Sequence, residues 1–143
     1  MKLNPDCIRD ILFAVEEKTS YTSSFVYKPS VKFNDFLFDD DTDNNSIVPE
    51  ILESYTDEEI LYHLKQCELS NFFTKINWSP SNLCVIDDLS PLGHNFLSDI
   101  RSNTNWNKIK NIAQNTGSSS LTALKDIAVA VISEVIKSQF QNP

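Results

Sequence analysis

The chain has 143 residues, 41% hydrophobic and 22% charged, close to the globular average and enough for one compact domain with a real core. Only two glycines and two histidines are present, which excludes a glycine-rich phosphate cradle, a dinucleotide fingerprint and a nucleophile elbow. Net charge is −8, and its placement is uneven. Residues 1–70 hold 15 acidic and 6 basic side chains (−9), and residues 71–143 hold 5 and 6 (+1). Between Phe33 and Leu64 stand ten acids and no Lys or Arg. A surface of that sign repels phosphate backbones and suits a basic partner.

No apolar run reaches the length of a membrane-spanning helix. The start, Met1-Lys2-Leu3-Asn4-Pro5-Asp6, lacks the pattern of a secretory signal. The expectation is therefore a cytoplasmic protein with no membrane partner. Cys7, Cys67 and Cys84 are an odd number with no close-set pair, and each sits among apolar residues. They are expected to be small buried hydrophobes.

In chain order, Asn4-Pro5-Asp6 reads as an N-cap, a proline at the first helical position and an acid in the first turn. Ile8, Ile11, Leu12 and Val15 follow at helical spacing, predicting a helix over residues 5–18 that Thr19-Ser20 ends. Phe25, Tyr27, Val31 and Phe33 alternate like a strand or hairpin broken at Pro29. Asp39-Asp40-Asp41-Thr42-Asp43-Asn44-Asn45 is a loop by composition, so residues 20–48 read as an acidic insertion. A short helix with Ile51 and Leu52 follows Pro49. Thr56 and Glu59 then make a capping box, with Tyr55 placed to staple against Ile60. The helix that runs on to about Leu69 is expected to turn Ile60, Leu61, Leu64 and Cys67 inward.

Phe72 to Ile76 and Leu83 to Ile86 read as two short strands around a turn at Asn77 to Asn82. Ser90-Pro91 opens a helix with Phe96, Leu97 and Ile100 on one face, in which Gly93 is expected to serve close packing. Asp87 and Asp88 are expected to help cap it. Trp106, Ile109, Ile112 and Ala113 mark another helix, ended by Asn115-Thr116-Gly117. A last helix starts at Ser119 or Ser120. Its apolar face, Leu121, Leu124, Ala128, Val131 and Val135 with Ile127, Ile132 and Ile136 beside them, is broad enough to predict a homodimer.

These elements predict a mainly α protein with a small β-hairpin (α+β). Residues 1–103 would form a winged-helix-like domain, and residues 104–143 a C-terminal helical extension and candidate dimerisation element. The helix from Thr56 to Leu69 falls at the recognition position of a winged helix.

Three segments also carry a resemblance: Met1-Lys2-Leu3-Asn4-Pro5-Asp6-Cys7-Ile8-Arg9-Asp10-Ile11-Leu12, Glu58-Glu59-Ile60-Leu61-Tyr62-His63-Leu64, and Leu89 to Arg101 followed by Trp106. Together they resemble a family of small proteins from phages and prophages of Gram-positive bacteria, grouped as a domain of unknown function. The resemblance covers most of the chain apart from the acidic insertion. It implies a winged-helix-like fold and a mobile-element origin, and no activity or functional residue.

No arrangement of His63 or His94 forms a nucleophilic triad, so no enzyme, catalytic residue or cofactor is expected. His63 and Cys67, four apart on one helix face, could meet Cys84 and His94 around zinc, but the spacing matches no known zinc motif. Asp39, Asp41, Asp43 and Glu50 fall at calcium-loop positions, but Asn44 replaces the required glycine and Pro49 obstructs the exiting helix. Metal is not expected. The candidate nucleic-acid contacts are Lys65, Lys75, Trp78, Arg101, Lys108 and Lys110. The candidate protein-binding residues are Asp39, Asp40, Asp41, Asp43 and Glu58. The expected function is thus a non-enzymatic, phage-type regulatory binding protein with a winged-helix-like fold, its partner left open between DNA and a basic host protein. The alternative is an acidic accessory factor that mimics a phosphate backbone on a basic host protein.

Overall fold

The computed structural model describes residues 1–29 and 48–141. The first helix, α1 (Pro5–Lys18), begins where the Asn4 side chain accepts the Asp6 N–H. It buries Cys7, Ile8, Ile11, Leu12, Ala14 and Val15. A strand, β1 (Phe25–Tyr27), follows, then after the undescribed segment a 3₁₀ turn (Glu50–Leu52). The second helix, α2 (Asp57–Leu69), starts at the expected capping box: Glu59 N–H donates to Thr56 Oγ1, and Thr56 N–H to Glu59 Oε1. Its buried residues are Ile60, His63, Leu64 and Cys67. Leu61, expected inside, is only half-buried, because it lies about 100° around the helix from Ile60. His63 takes the inward place.

Strands β2 (Ile76–Trp78) and β3 (Cys84–Ile86) come next. The expected hairpin is in fact part of a three-stranded antiparallel sheet of order β1-β3-β2. Ile86 lies between Phe25 and Ile76, and Cys84 between Tyr27 and Trp78. Phe25, Tyr27, Cys84 and Ile86 are buried while Val26 is exposed, the alternation of a sheet with one face on the core. Of the residues expected in the first hairpin strand, Phe72 sits in the turn after α2, while Phe73 makes an isolated antiparallel bridge with Leu89. Asn71 closes that helix at φ 61, and Phe72 N–H donates to Cys67 O. Asn77 and Trp78, expected in a turn, are strand residues. The turn is later, where Ser79 N–H donates to Leu83 O and Asn82 takes φ 64.

Three more helices complete the chain: α3 (Pro91–Ile100), α4 (Asn103–Thr116) and α5 (Leu121–Gln141). Ser90 is the N-cap of α3, accepting the Gly93 N–H. Asp88, expected to share that role, accepts instead from the Leu89 N–H and the Thr19 hydroxyl. Gly117, in the left-handed region, ends α4 as expected. Helix α1 packs on α2 and α3, and α4 packs on α5. One buried cluster runs through all of them, from Cys7 on α1 to Trp106 on α4 and Val131 on α5. No helix among the described residues is long and apolar enough to cross a membrane.

Candidate functional site

The capping box fixes where α2 begins, and so which of its residues point outward. Glu58, Leu61, Tyr62 and Lys65 fall on successive turns and line one wall of a cleft of about 730 Å³. Trp78 and Asn82 of the β2–β3 hairpin form the other wall, and Met1 lies at the edge. The hairpin is held in shape by its turn, where Ser79 Oγ accepts the Leu83 N–H. Lys65 is the single Lys or Arg on α2, against Asp57, Glu58, Glu59 and Glu68. Its Nζ lies 2.9 Å from Glu68 Oε2 and 5.3 Å from the centre of the Trp78 ring. The Trp78 indole N–H donates to the same Glu68 oxygen at 2.9 Å. The helix's one cation is thus engaged by a carboxylate and an aromatic face of its own chain.

The other basic and aromatic cluster is engaged by groups of its own chain, with Trp106 buried, Lys110 half-buried and Arg101 exposed. Trp106 is buried, and its indole N–H donates to Asp6 Oδ1 at 2.8 Å, so neither face is open for a base to stack on. Lys110 Nζ donates to the same oxygen at 2.9 Å. Arg101 pairs with Glu16 at 2.6 Å and lies over Phe13. Arg9, for which the sequence carried no signal, completes the arrangement. It donates to Ile100 O at 2.9 Å, Arg101 O at 2.7 Å and Asn103 Oδ1 at 2.9 Å. These groups tie α1 to the end of α3 and the start of α4. Of the remaining candidates, Lys75 and Lys108 are exposed. Asp39, Asp40, Asp41 and Asp43, with the calcium-loop reading and much of the acidic insertion, lie outside the described residues.

Carboxylates around α1 are perturbed in opposite senses. Burial works to raise the Asp6 pKa, but hydrogen bonds from Lys110 and Trp106 and the charges of Lys110 and Arg9 bring it below the usual value. Asp10 is raised by burial, although the Tyr55 hydroxyl donates to it at 2.7 Å. Asp10 therefore binds its proton more tightly folded than unfolded, and its contribution to stability falls as pH rises through that window. Asp10→Asn keeps an acceptor for Tyr55 and removes the partly desolvated charge. It is expected to raise stability modestly at pH 7 and to change it little near pH 4; urea melts at the two values check this.

The zinc reading meets a direct obstacle. His63 Nε2 accepts the Asn4 N–H at 2.8 Å and its Nδ1 donates to Glu59 O at 2.6 Å. That assigns the proton to Nδ1 and occupies both nitrogens. His94 is exposed, 3.6 Å from Asp88. Burial raises the thiols of Cys7 and Cys84 to about 12 and also pushes Cys67 up, so all three are inert core residues, as expected. No group of three or more metal-ligating side chains occurs among the described residues.

No solved structure matches the chain. It is 26% identical over 139 residues to an uncharacterised protein of Haemophilus influenzae, an alignment covering 95% of this chain and 99% of that one. A family model described as "Hypothetical protein (DUF2513)" matches residues 2–119, and with that share of its length matched the chain belongs to the DUF2513 family.

Proposed function

We propose that this chain is a non-enzymatic regulatory binding protein with a winged-helix-like core, and that the cleft between α2 and the hairpin takes a segment of another protein. The fold reading is supported by element order: a helix, a strand, two helical segments and a hairpin whose last strand pairs with the first. On this reading α2 holds the recognition position and β2–β3 is the wing. Fold analogy alone would favour DNA. The observation that favours protein is the pairing of Lys65. With it engaged by Glu68 and Trp78, the helix that would enter a groove offers phosphates only net negative charge. Lys65 is itself half exposed, and what else α2 lends the cleft is apolar and acidic: Leu61, Tyr62 and Glu58.

That lining suits a peptide carrying an apolar anchor beside Lys or Arg. The setting we assign is the cytoplasm of a bacterial host, with the mobile-element origin that the sequence resemblance implies. The DNA reading has its own support in the topology, and one experiment separates the two. The protein is offered a random peptide library and a pool of random duplexes at physiological salt. Basic peptides with one apolar anchor are expected to be enriched, and Tyr62→Ala or Glu58→Lys to weaken them about tenfold, or ~1.4 kcal/mol. Recovery of a single duplex sequence at roughly 10⁻⁸ M or tighter would instead identify a transcription regulator.

A further inference from the structure

Helix α5 outruns its neighbour. At about 1.5 Å per residue, its 21 residues span roughly 31 Å against roughly 21 Å for the 14 of α4. Leu121, Leu124, Ala128 and Val131, most of them in its first half, are buried. Beyond them the composition stays apolar although the cover ends. Val129, Ile136 and Phe140 are 53%, 50% and 86% exposed. At about 100° per residue these three fall within about 40° of one another, with half-buried Ile132 on the side toward the core. A contiguous apolar stripe of this kind is the sort of surface that marks an interaction site.

We propose that two copies of the chain pair through this stripe, with their α5 helices antiparallel about a two-fold axis beside Ile132. The charges favour that geometry because it also gives Lys137 a partner. Asp126 and Lys137 lie on the same flank of the stripe, eleven residues apart on either side of Ile132. In an antiparallel pair, same flank faces same flank, so Asp126 of one copy meets Lys137 of the other, twice over. In that register Ile132 meets its own copy, Val129 meets Ile136, and the stem of Lys125 lies along Phe140. A parallel pair would set Lys137 against the opposite flank, where it finds no acid, and would pair Asp126 only with Lys125 of the other copy. Within one chain Lys137 reaches only the exposed Glu134, at 3.9 Å, a contact weak enough to exchange. The contact is short, so the dimer belongs to the small, dissociable class, with a dissociation constant in the tens of micromolar.

Sedimentation across a concentration series on the full chain is expected to show monomer passing to dimer. Ile136→Glu should abolish the dimer while leaving the melting temperature unchanged, since the side chain is half exposed. Asp126→Lys should weaken it about tenfold through two like-charge contacts, and adding Lys137→Asp should restore it. Ile132→Cys should form a disulfide with its own copy under mild oxidation, and Phe140→Cys should not, because the two ends lie apart. The native thiols are buried and do not compete. A monomer at every concentration overturns the proposal, and so does cross-linking through Phe140→Cys in place of Ile132→Cys.

Discussion

Gly93→Ala is expected to destabilise the protein by about 3 kcal/mol, lowering the melting temperature by roughly 6–12 °C in a chain of this size. On an exposed helix the same change would stabilise by about 1 kcal/mol. Here a Cβ at position 93 would lie 2.2 Å from Phe72 O and 3.1 Å from Phe72 C. Neither atom can swing aside. Phe72 O accepts the Ser90 N–H at 2.8 Å, and the Phe72 ring stacks on Phe96 at 5.1 Å. Relief therefore requires the first turn of α3 to back away from the turn after α2, loosening a contact buried in the core. Urea melts at neutral pH measure the loss. An unchanged or raised stability would mean that the two backbones do not approach as closely as described.

His63→Ala is expected to cost a similar amount, about 3 kcal/mol, from a buried cavity and a lost hydrogen bond together. His63 is 1% exposed and the sole polar residue in the buried set among the described residues. Its ring joins the N-cap of α1 to the first turn of α2, through Asn4 N–H and Glu59 O. His63→Leu fills most of the volume but leaves the Asn4 N–H without its acceptor, so about 1 kcal/mol of the loss should remain. The two variants thus separate packing from hydrogen bonding. Amide exchange should quicken in the first turn of α1 in both. Protection there equal to wild type would show that the ring does not tether the helix.

Local signals carried most of the secondary structure. The caps at Asn4, Thr56 and Ser90 and the stop at Gly117 are short-range chemistry, complete within four residues, and each stands where the residues placed it. The strands were less legible because the pattern Phe72-Phe73-Thr74-Lys75-Ile76 suits either a strand or a buried turn. What decides is the left-handed Asn71, which no composition rule announces. The strand at Phe25 and Tyr27 was legible from its alternation, but its place in the sheet was not: β1 is three residues long and pairs with residues about sixty positions away. The charged groups were hardest to place. The carboxylate partners of Arg101, Lys110 and Trp106 were not legible, because Glu16 and Asp6 sit 85 to 104 residues earlier. The cleft at Lys65 and Trp78 was half visible, since both residues were candidates, but Glu68 as their shared acceptor depends on how the hairpin folds back over α2.

The clamp that Arg9 and Asp6 make on the far end of the chain has a consequence during synthesis. Their partners, from Ile100 to Lys110, are made about a hundred residues after α1. At roughly 5–20 residues per second, the apolar face of α1 waits about 5–20 s on the ribosome before its last cover exists. In a nascent chain the cover of Ile8, Ile11 and Leu12 therefore builds in stages, first from α2 and only later from α3.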